Sequence, residues 1–514
     1  MTVKRIILGF LTLAVSLIIG QSLISSWNEP QVTNRLQLYQ TDLLLQAASW
    51  QGDGFSDVQA KQVRSALLGD DPVASALKEY EEVREEAETN LTRSQEQLTQ
   101  RLPETAPVSN RIETDPTTLK LKGMVQQQAQ LIEQLDLRLG ILQAEKGETA
   151  QALETWRNLA ASQDKAGEIA QTARVLTGLW ESPSTVDPEA SMRIQQTLTG
   201  WFRYRALNQL YQSQQRDEDL TALAVKEQGI AEKTLLKLVF IGFLPTLGCV
   251  LGIGLIGFLV IQRFVRGQKS LLMQNAETGW DTPWTGEIIW QVLVVGFFFI
   301  GQIFLPLLLG ALGVGFSTFS SRGRALYALL YYVLMASGGI LVLYWSIRLF
   351  RPLPSGWFRF KFWGDWPWWG LGGYLAALPL MLGISFLNQQ FWQGQGGSNP
   401  LLQTVLEEHD TIAFTIFFLT AAIAAPLFEE VLFRGFLLPS LTRYIPVWGA
   451  IAASSFIFAA AHLSLSEVLP LTALGSVLGF VYTRSRNLLA PMLLHSAWNS
   501  VTMMGLFLLG SGSN

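Results

Sequence analysis

Residues 411–435 read TIAFTIFFLTAAIAAPLFEEVLFRG. Nothing ionisable occurs from Thr411 to Phe428, and then Glu429, Glu430 and Arg434 follow within two turns. A bilayer span needs about 20 apolar residues, so the stretch reads as a membrane helix that carries two carboxylates and a guanidinium with it. Charged groups inside a span are costly, and by default they mark function. The chain is therefore expected to be all-α and to place its chemistry within the membrane.

The rest of the sequence agrees with that reading. Of 514 residues, 49% are hydrophobic and only 15% charged, with 17 Trp and 29 Phe, against roughly 25% charge in an ordinary globular chain. Apolar spans are expected at Ile6–Ile24, Leu238–Val260, Ile288–Leu312, Leu326–Ile347, Trp369–Leu387, Thr411–Phe428 and beyond, Val447–His462, Glu467–Tyr482 and Leu488–Leu509, about nine in all. Gly248, Gly252 and Gly257 are spaced for close helix packing in a membrane. The Trp-rich run from Trp357 to Trp369 reads as an interfacial belt.

Between the first and second spans the character changes. Residues 27–232 hold 31 acidic and 20 basic side chains, rich in Gln, Glu and Leu, and read as a soluble helical domain. Glu79–Glu88 is a charge-rich helical face, and Pro103–Pro107 and Pro183–Pro188 read as breaks between hairpins. Leu139, Gly140, Gly147, Ala152 and Trp156 resemble the packing positions of a tetratricopeptide unit, with a poorer second candidate near Ala206–Tyr211. An array needs about three repeats, so an irregular bundle of helix hairpins is expected, with a surface for a protein partner. The expected organisation is an N-terminal membrane anchor at 1–26, the soluble helical domain at 27–232, membrane helices at 233–404 and a catalytic core at 405–510.

Charge orients the chain. With nine spans and an uncleaved N-terminal anchor, one side collects Lys4, Arg5, Arg263, Arg266, Lys269, Arg348, Arg351, Arg359, Lys361, Arg443, Arg484 and Arg486, and the other only Arg322 and Arg324. The positive-inside rule then puts the N-terminus in the cytoplasm and residues 27–232 outside it. No concentrated basic face suits a phosphate backbone, which argues against nucleic-acid binding. Cys249 is the single cysteine, so intrachain disulfides and multi-cysteine zinc sites are excluded.

Chemistry concentrates in the last quarter. Two of the three histidines, His462 and His495, fall in apolar helices. Glu430/Arg434, Phe458/His462 and His495/Asn499 are each spaced i, i+4, so each pair shares a helical face. Pro446 marks a turn with Glu429 and His462 at similar distances on either side, which levels them in an antiparallel hairpin. His495 lies closer in sequence to its own rim, at Arg486, so helix tilt or a shifted boundary has to bring it level. Glu407-Glu408-His409-Asp410 has metal-like residues but reads as a solvated loop, with Asp410 capping the next helix.

Together, Glu-Glu-Val-Leu-Phe-Arg-Gly at 429–435, Phe458-x-x-x-His462 and His495-x-x-x-Asn499 resemble the three motifs of the CPBP family, the CAAX-type intramembrane proteases with bacteriocin-processing and Abi proteins. The resemblance covers roughly residues 405–507. It implies an endopeptidase acting on membrane-associated proteins, with Glu429 as general base, His462 as its partner on the attacking water, Arg434 holding Glu430, and His495 and Asn499 donating to the oxyanion. A metal is left open: a divalent ion such as zinc would draw on Glu429, His462 and His495, although the linear motif His-Glu-x-x-His is absent. The alternative is a catalytically silent member of the family that serves as a membrane scaffold or assembly factor.

Overall fold

The computed structural model describes residues 2–27, 29, 31, 33–52, 56–101, 116–161, 167–181, 189–314, 319–406, 408 and 410–511. Among the described residues every regular element is helical. The first helix, α1, spans Val3–Ser26. The chain divides into two compact units, one of Met1–Val32 with Phe240–Gly510, the other of Thr33–Val239 with Ser511–Asn514.

The second unit is built from α2 (Thr33–Ala48), α3 (Asp57–Leu68), α4 (Pro72–Arg101), α5 (Pro116–Glu145), α6 (Thr149–Ala160), α7 (Glu168–Glu181), α8 (Ala190–Thr197), α9 (Gly200–Ser213) and α10 (Asp217–Leu238). The repeat-like residues form the α5–α6 hairpin. Gly147, at φ +85°, closes the turn, and Trp156 is fully buried against Gly140, where a Cβ would come within 2.2 Å of its indole nitrogen. That nitrogen donates to the Leu137 carbonyl at 3.1 Å. The weaker candidate near Ala206–Tyr211 lies within α9 and buries Ala206, Leu207 and Leu210 in the same core. The two Pro-rich breaks lie outside the described residues.

The first unit continues with α11 (Leu244–Arg266), α12 (Gly286–Ala311), α13 (Ser321–Ile347), α14 (Trp366–Trp392), α15 (Pro400–Leu406), α16 (Thr411–Leu441), α17 (Val447–Ala460), α18 (Leu465–Ser485) and α19 (Leu489–Gly510). Among the described residues eight helices are long and apolar enough to cross a membrane: α1, the helical run that contains α11, α12, α13, α14, α16, α18 and α19. The protein is an integral, multi-pass membrane protein. The expected ninth span, Val447–His462, is the exception. Its helix has 14 residues, or about 21 Å at 1.5 Å per residue, against a hydrocarbon core of about 30 Å.

Even so, α17 carries the chain from one rim of the unit to the other. One rim is tied together by Arg5 on Glu287 (2.8 Å), Trp280 N–H on Thr442 (3.0 Å), Asn275 on the Arg484 carbonyl (3.1 Å) and Leu488 N–H on the Arg359 carbonyl (3.0 Å). The opposite rim joins Gly397 N–H to the Glu29 carbonyl (2.9 Å), Leu465 N–H to Ser26 (3.1 Å) and Arg322 to Asp410 (2.6 Å). The twelve basic residues thus belong to one rim, and Arg322 and Arg324 to the other.

Three sequence expectations change on this frame. Trp357 is core rather than belt: it lies 4.3 Å from Trp284, ring centre to ring centre, and donates to the Asp281 carbonyl at 2.8 Å. Trp363 and Trp368 are exposed, as a belt requires. Gly248 and Gly252 meet Leu378 and Leu375 of α14, while Gly257 meets nothing. Asp410 caps α16 by accepting from Ile412 and Ala413 N–H. Its neighbour Glu408 is not solvated, however, but buried and bonded to Ser321. Glu407 and His409 lie outside the described residues.

Candidate active site

Helix α16 is irregular where it matters. Two π-helical stretches, Thr420–Ala424 and Glu430–Leu437, bracket a short α-turn, Ala425–Glu429. Such wide turns free backbone groups and are frequent at functional sites. The Ala421 carbonyl shows why. An i→i−5 bond to it would have to come from residue 426, and Pro426 has no N–H to give. Asn499 on α19 supplies the donor instead, at 2.8 Å. One side-chain N–H of Asn499 is therefore engaged with the backbone.

Glu430 and Arg434 are completely buried and paired at 2.8 Å. Arg434 also donates to the Gly475 carbonyl at 3.2 Å and lies over the Phe458 ring at 4.5 Å. Gly475 permits this: a Cβ there would sit 2.9 Å from that of Ser455 and 3.2 Å from the guanidinium. Burying two ions is expensive unless both are paired and hydrogen-bonded. Here Glu430 Oε2 and Arg434 Nε still have no partner among the described residues.

The remaining oxygen of Glu430, Oε1, also meets His495 Nδ1 at 2.8 Å. With Nδ1–H donating to that carboxylate, His495 Nε2 is left as an acceptor, 3.9 Å from Glu429 Oε2. The other oxygen of Glu429 accepts from the Tyr332 hydroxyl of α13 at 3.0 Å. The tilt problem at His495 is solved at the rim, where Asn487 and Leu488 are buried and Arg484 is wholly covered beneath Trp448 and Phe480. The last helix therefore starts inside the bundle rather than at its surface.

His462 is brought to the same cluster but not into direct contact with Glu429. Its Nδ1 bonds the Phe458 carbonyl at 2.9 Å. Both imidazoles pack edge-on against the Phe458 ring, at 5.0 Å for His462 and 5.9 Å for His495. The hairpin register read from Pro446 holds at Phe458, which meets Phe433 at 5.3 Å and Arg434. Among the described residues no three His, Cys, Asp or Glu side chains gather closely enough to hold a metal ion. In both histidines Nδ1 is engaged, His495 with Glu430 and His462 with its own helix, which leaves Nε2 as the free ring nitrogen of each.

Residues 411–501 match the family model of the type II CAAX prenyl endopeptidase Rce1-like proteins. The match supports assigning residues 411–501 to the CPBP family. One curated relative is a protein of Bacillus subtilis (strain 168) named "Putative membrane peptidase YdiL", 26% identical over 136 residues, which is 26% of this chain and 54% of that protein. The chain thus spans about half the length of the curated relative it matches. No solved structure matches it.

The matched segment contains all six residues singled out from the sequence: Glu429, Glu430, Arg434, His462, His495 and Asn499. Tyr332 lies outside it, 97 residues upstream of Glu429, and carries no mark in the sequence. A tyrosine within an apolar helix has no periodicity or spacing to mark it. Only the packing of α13 on α16 shows which carboxylate it meets.

Proposed function

We propose that this chain is an intramembrane endopeptidase that hydrolyses peptide bonds of membrane-associated protein substrates by a glutamate-activated water. The observation that carries the reading is the 3.9 Å separation of Glu429 Oε2 and His495 Nε2. A water about 2.8 Å from each acceptor subtends an angle near a right angle, so it can give one O–H to each while its oxygen faces outward. Glu429 takes a proton as the water oxygen bonds to the scissile carbonyl carbon. The same proton then passes to the amide nitrogen as the C–N bond breaks. Glu430, held by Arg434, fixes the tautomer and direction of His495.

In this reading Asn499 keeps its second N–H for the oxyanion, and His462 packs on the same Phe458 ring as His495. The match to CAAX-type endopeptidases and the name of the Bacillus relative support peptide-bond chemistry. The segregation of basic residues to one rim supports an N-terminus in the cytoplasm and residues 27–232 outside it, as a soluble domain able to dock a protein partner. Protease treatment of right-side-out vesicles should then remove that block, and its protection there would reverse the orientation.

The test of the activity is substrate trapping. Glu429→Gln and wild-type protein are expressed in the same membrane background, and accumulated membrane proteins and their fragments are compared by mass spectrometry. Precursors that build up on the variant, with their fragments lost, are the expected result. Identical fragment patterns, with biological function intact in Glu429→Gln but lost on deleting residues 27–232, would favour the scaffold instead.

A further inference from the structure

The geometry points to Tyr332 as a positioning residue for Glu429, one that reserves a single carboxylate oxygen for proton transfer. The inference rests on the reading of Glu429 as the base. Its starting point is an asymmetry: Oε1 of Glu429 accepts the Tyr332 hydroxyl at 3.0 Å, while Oε2 faces His495 Nε2 at 3.9 Å. The two oxygens of a free carboxylate are interchangeable. Here the donor comes from α13, outside the segment that matches the family model, and makes them different.

The phenol is held for this task. Its ring meets Phe428 edge to face, with centroids 6.2 Å apart, and its hydroxyl lies 3.5 Å from the Ala425 carbonyl. Phe428 in turn packs against Gly339 of α13, where a Cβ would come within 2.9 Å of the ring. The hydroxyl is thereby confined near the first turn of the short α-segment that ends in Glu429. A donor fixed on Oε1 directs the incoming proton to Oε2, where the water is proposed to sit. When Oε2 is protonated, Oε1 remains a carbonyl-type acceptor, so the Tyr332 bond survives the transfer and nothing need reorganise. Tyr332 keeps its own proton throughout.

The groups that face Glu429 are Tyr332 from α13, His495 from α19, and Glu430 with its partner Arg434 from α16 itself. A purely structural role is the competing explanation, since hydroxyls do join membrane helices. The adjacent Tyr331 is the natural control. Its hydroxyl bonds the Gly301 carbonyl of α12 instead of the site.

The experiment needs no substrate, so it can fail or succeed independently of the endopeptidase reading. The carboxylate stretch of Glu429 is recorded by infrared difference spectroscopy on the full chain in detergent, its band assigned by its loss in Glu429→Gln. Tyr332→Phe should shift that stretch, because one of the two oxygens loses its donor. Tyr331→Phe should leave it unchanged. Thermal unfolding of each variant is recorded beside the spectra. An unmoved Glu429 band in a folded Tyr332→Phe protein, or equal shifts in both tyrosine variants, would overturn the assignment. If Tyr332→Phe fails to fold, Tyr332→Trp, which keeps a ring but presents its donor elsewhere, must give the shifted stretch or the proposal falls.

Discussion

Each unit buries a carboxylate against an arginine, and the two pairs are finished differently. In the second unit Arg138 meets Asp42 at 3.1 Å and the Tyr80 hydroxyl at 3.1 Å, its other terminal nitrogen reaches Thr199 at 3.3 Å, and Tyr80 donates to Asp42. Among the described residues no buried polar atom of Asp42, Tyr80 or Arg138 lacks a partner. In the first unit Glu430 and Arg434 are paired as closely, yet one carboxylate oxygen and one guanidinium nitrogen stay unmatched. A complete network rigidifies its surroundings and has nothing left to offer. An incomplete one costs stability, and here it sits beside the carboxylate oxygen that holds both Arg434 and His495.

That contrast can be broken in four places. The largest effect is expected at Glu429, where Glu429→Gln should lower the rate of cleavage by about 10⁴-fold without lowering the unfolding temperature, since the amide keeps the Tyr332 bond. Calorimetry alongside an assay on trapped substrate checks both halves. If stability and activity fell together, the site would be structural like its counterpart.

Next comes Arg138→Met, expected to cost about 3 kcal/mol, the lower end because both partners keep some water contact, with side chains 23% and 15% exposed. Burial pushes the Asp42 carboxyl up from its ordinary range, opposed by Arg138 and Tyr80. The sign follows from that direction. Protonation of Asp42 is already favoured in the folded state, so a stranded carboxylate is relieved as pH falls. The penalty of Arg138→Met should be smaller in mild acid than in mild alkali, as measured by thermal unfolding across pH. A penalty that grew in acid would show that protonation of Asp42 does not relieve the variant.

Asn499→Ala follows, with a loss of about 10²-fold in kcat and a small change in KM, because one oxyanion donor goes while substrate contacts stay. An equal rise in KM would assign Asn499 to ground-state binding. Smallest is Gly475→Val, for which overpacking against Ser455 and Arg434 should cost about 1–3 kcal/mol. If activity in that variant dropped far more than its unfolding temperature implied, the Arg434–Gly475 contact would be shown to act on His495 and not on packing alone.

The sequence by itself determined the all-helical membrane class, seven of the long spans to within a few residues, the register of the Pro446 hairpin and the six motif positions. These are local properties. Apolar runs, i, i+4 spacing and turn residues fix helices and faces without reference to the rest of the chain. Folding decided the rest. Whether Trp357 faced lipid or core depended on Trp284, which is 73 residues away. The shortness of α17 came from where the loop after Ala460 met the opposite rim. The partner of Glu429 was settled by the packing of α13 on α16, which set the Tyr332 hydroxyl 3.0 Å from one oxygen and left His495 nearest the other. Sequence spacing carries no information about contacts between distant helices, because side-chain packing in three dimensions, not the chain's own period, selects them.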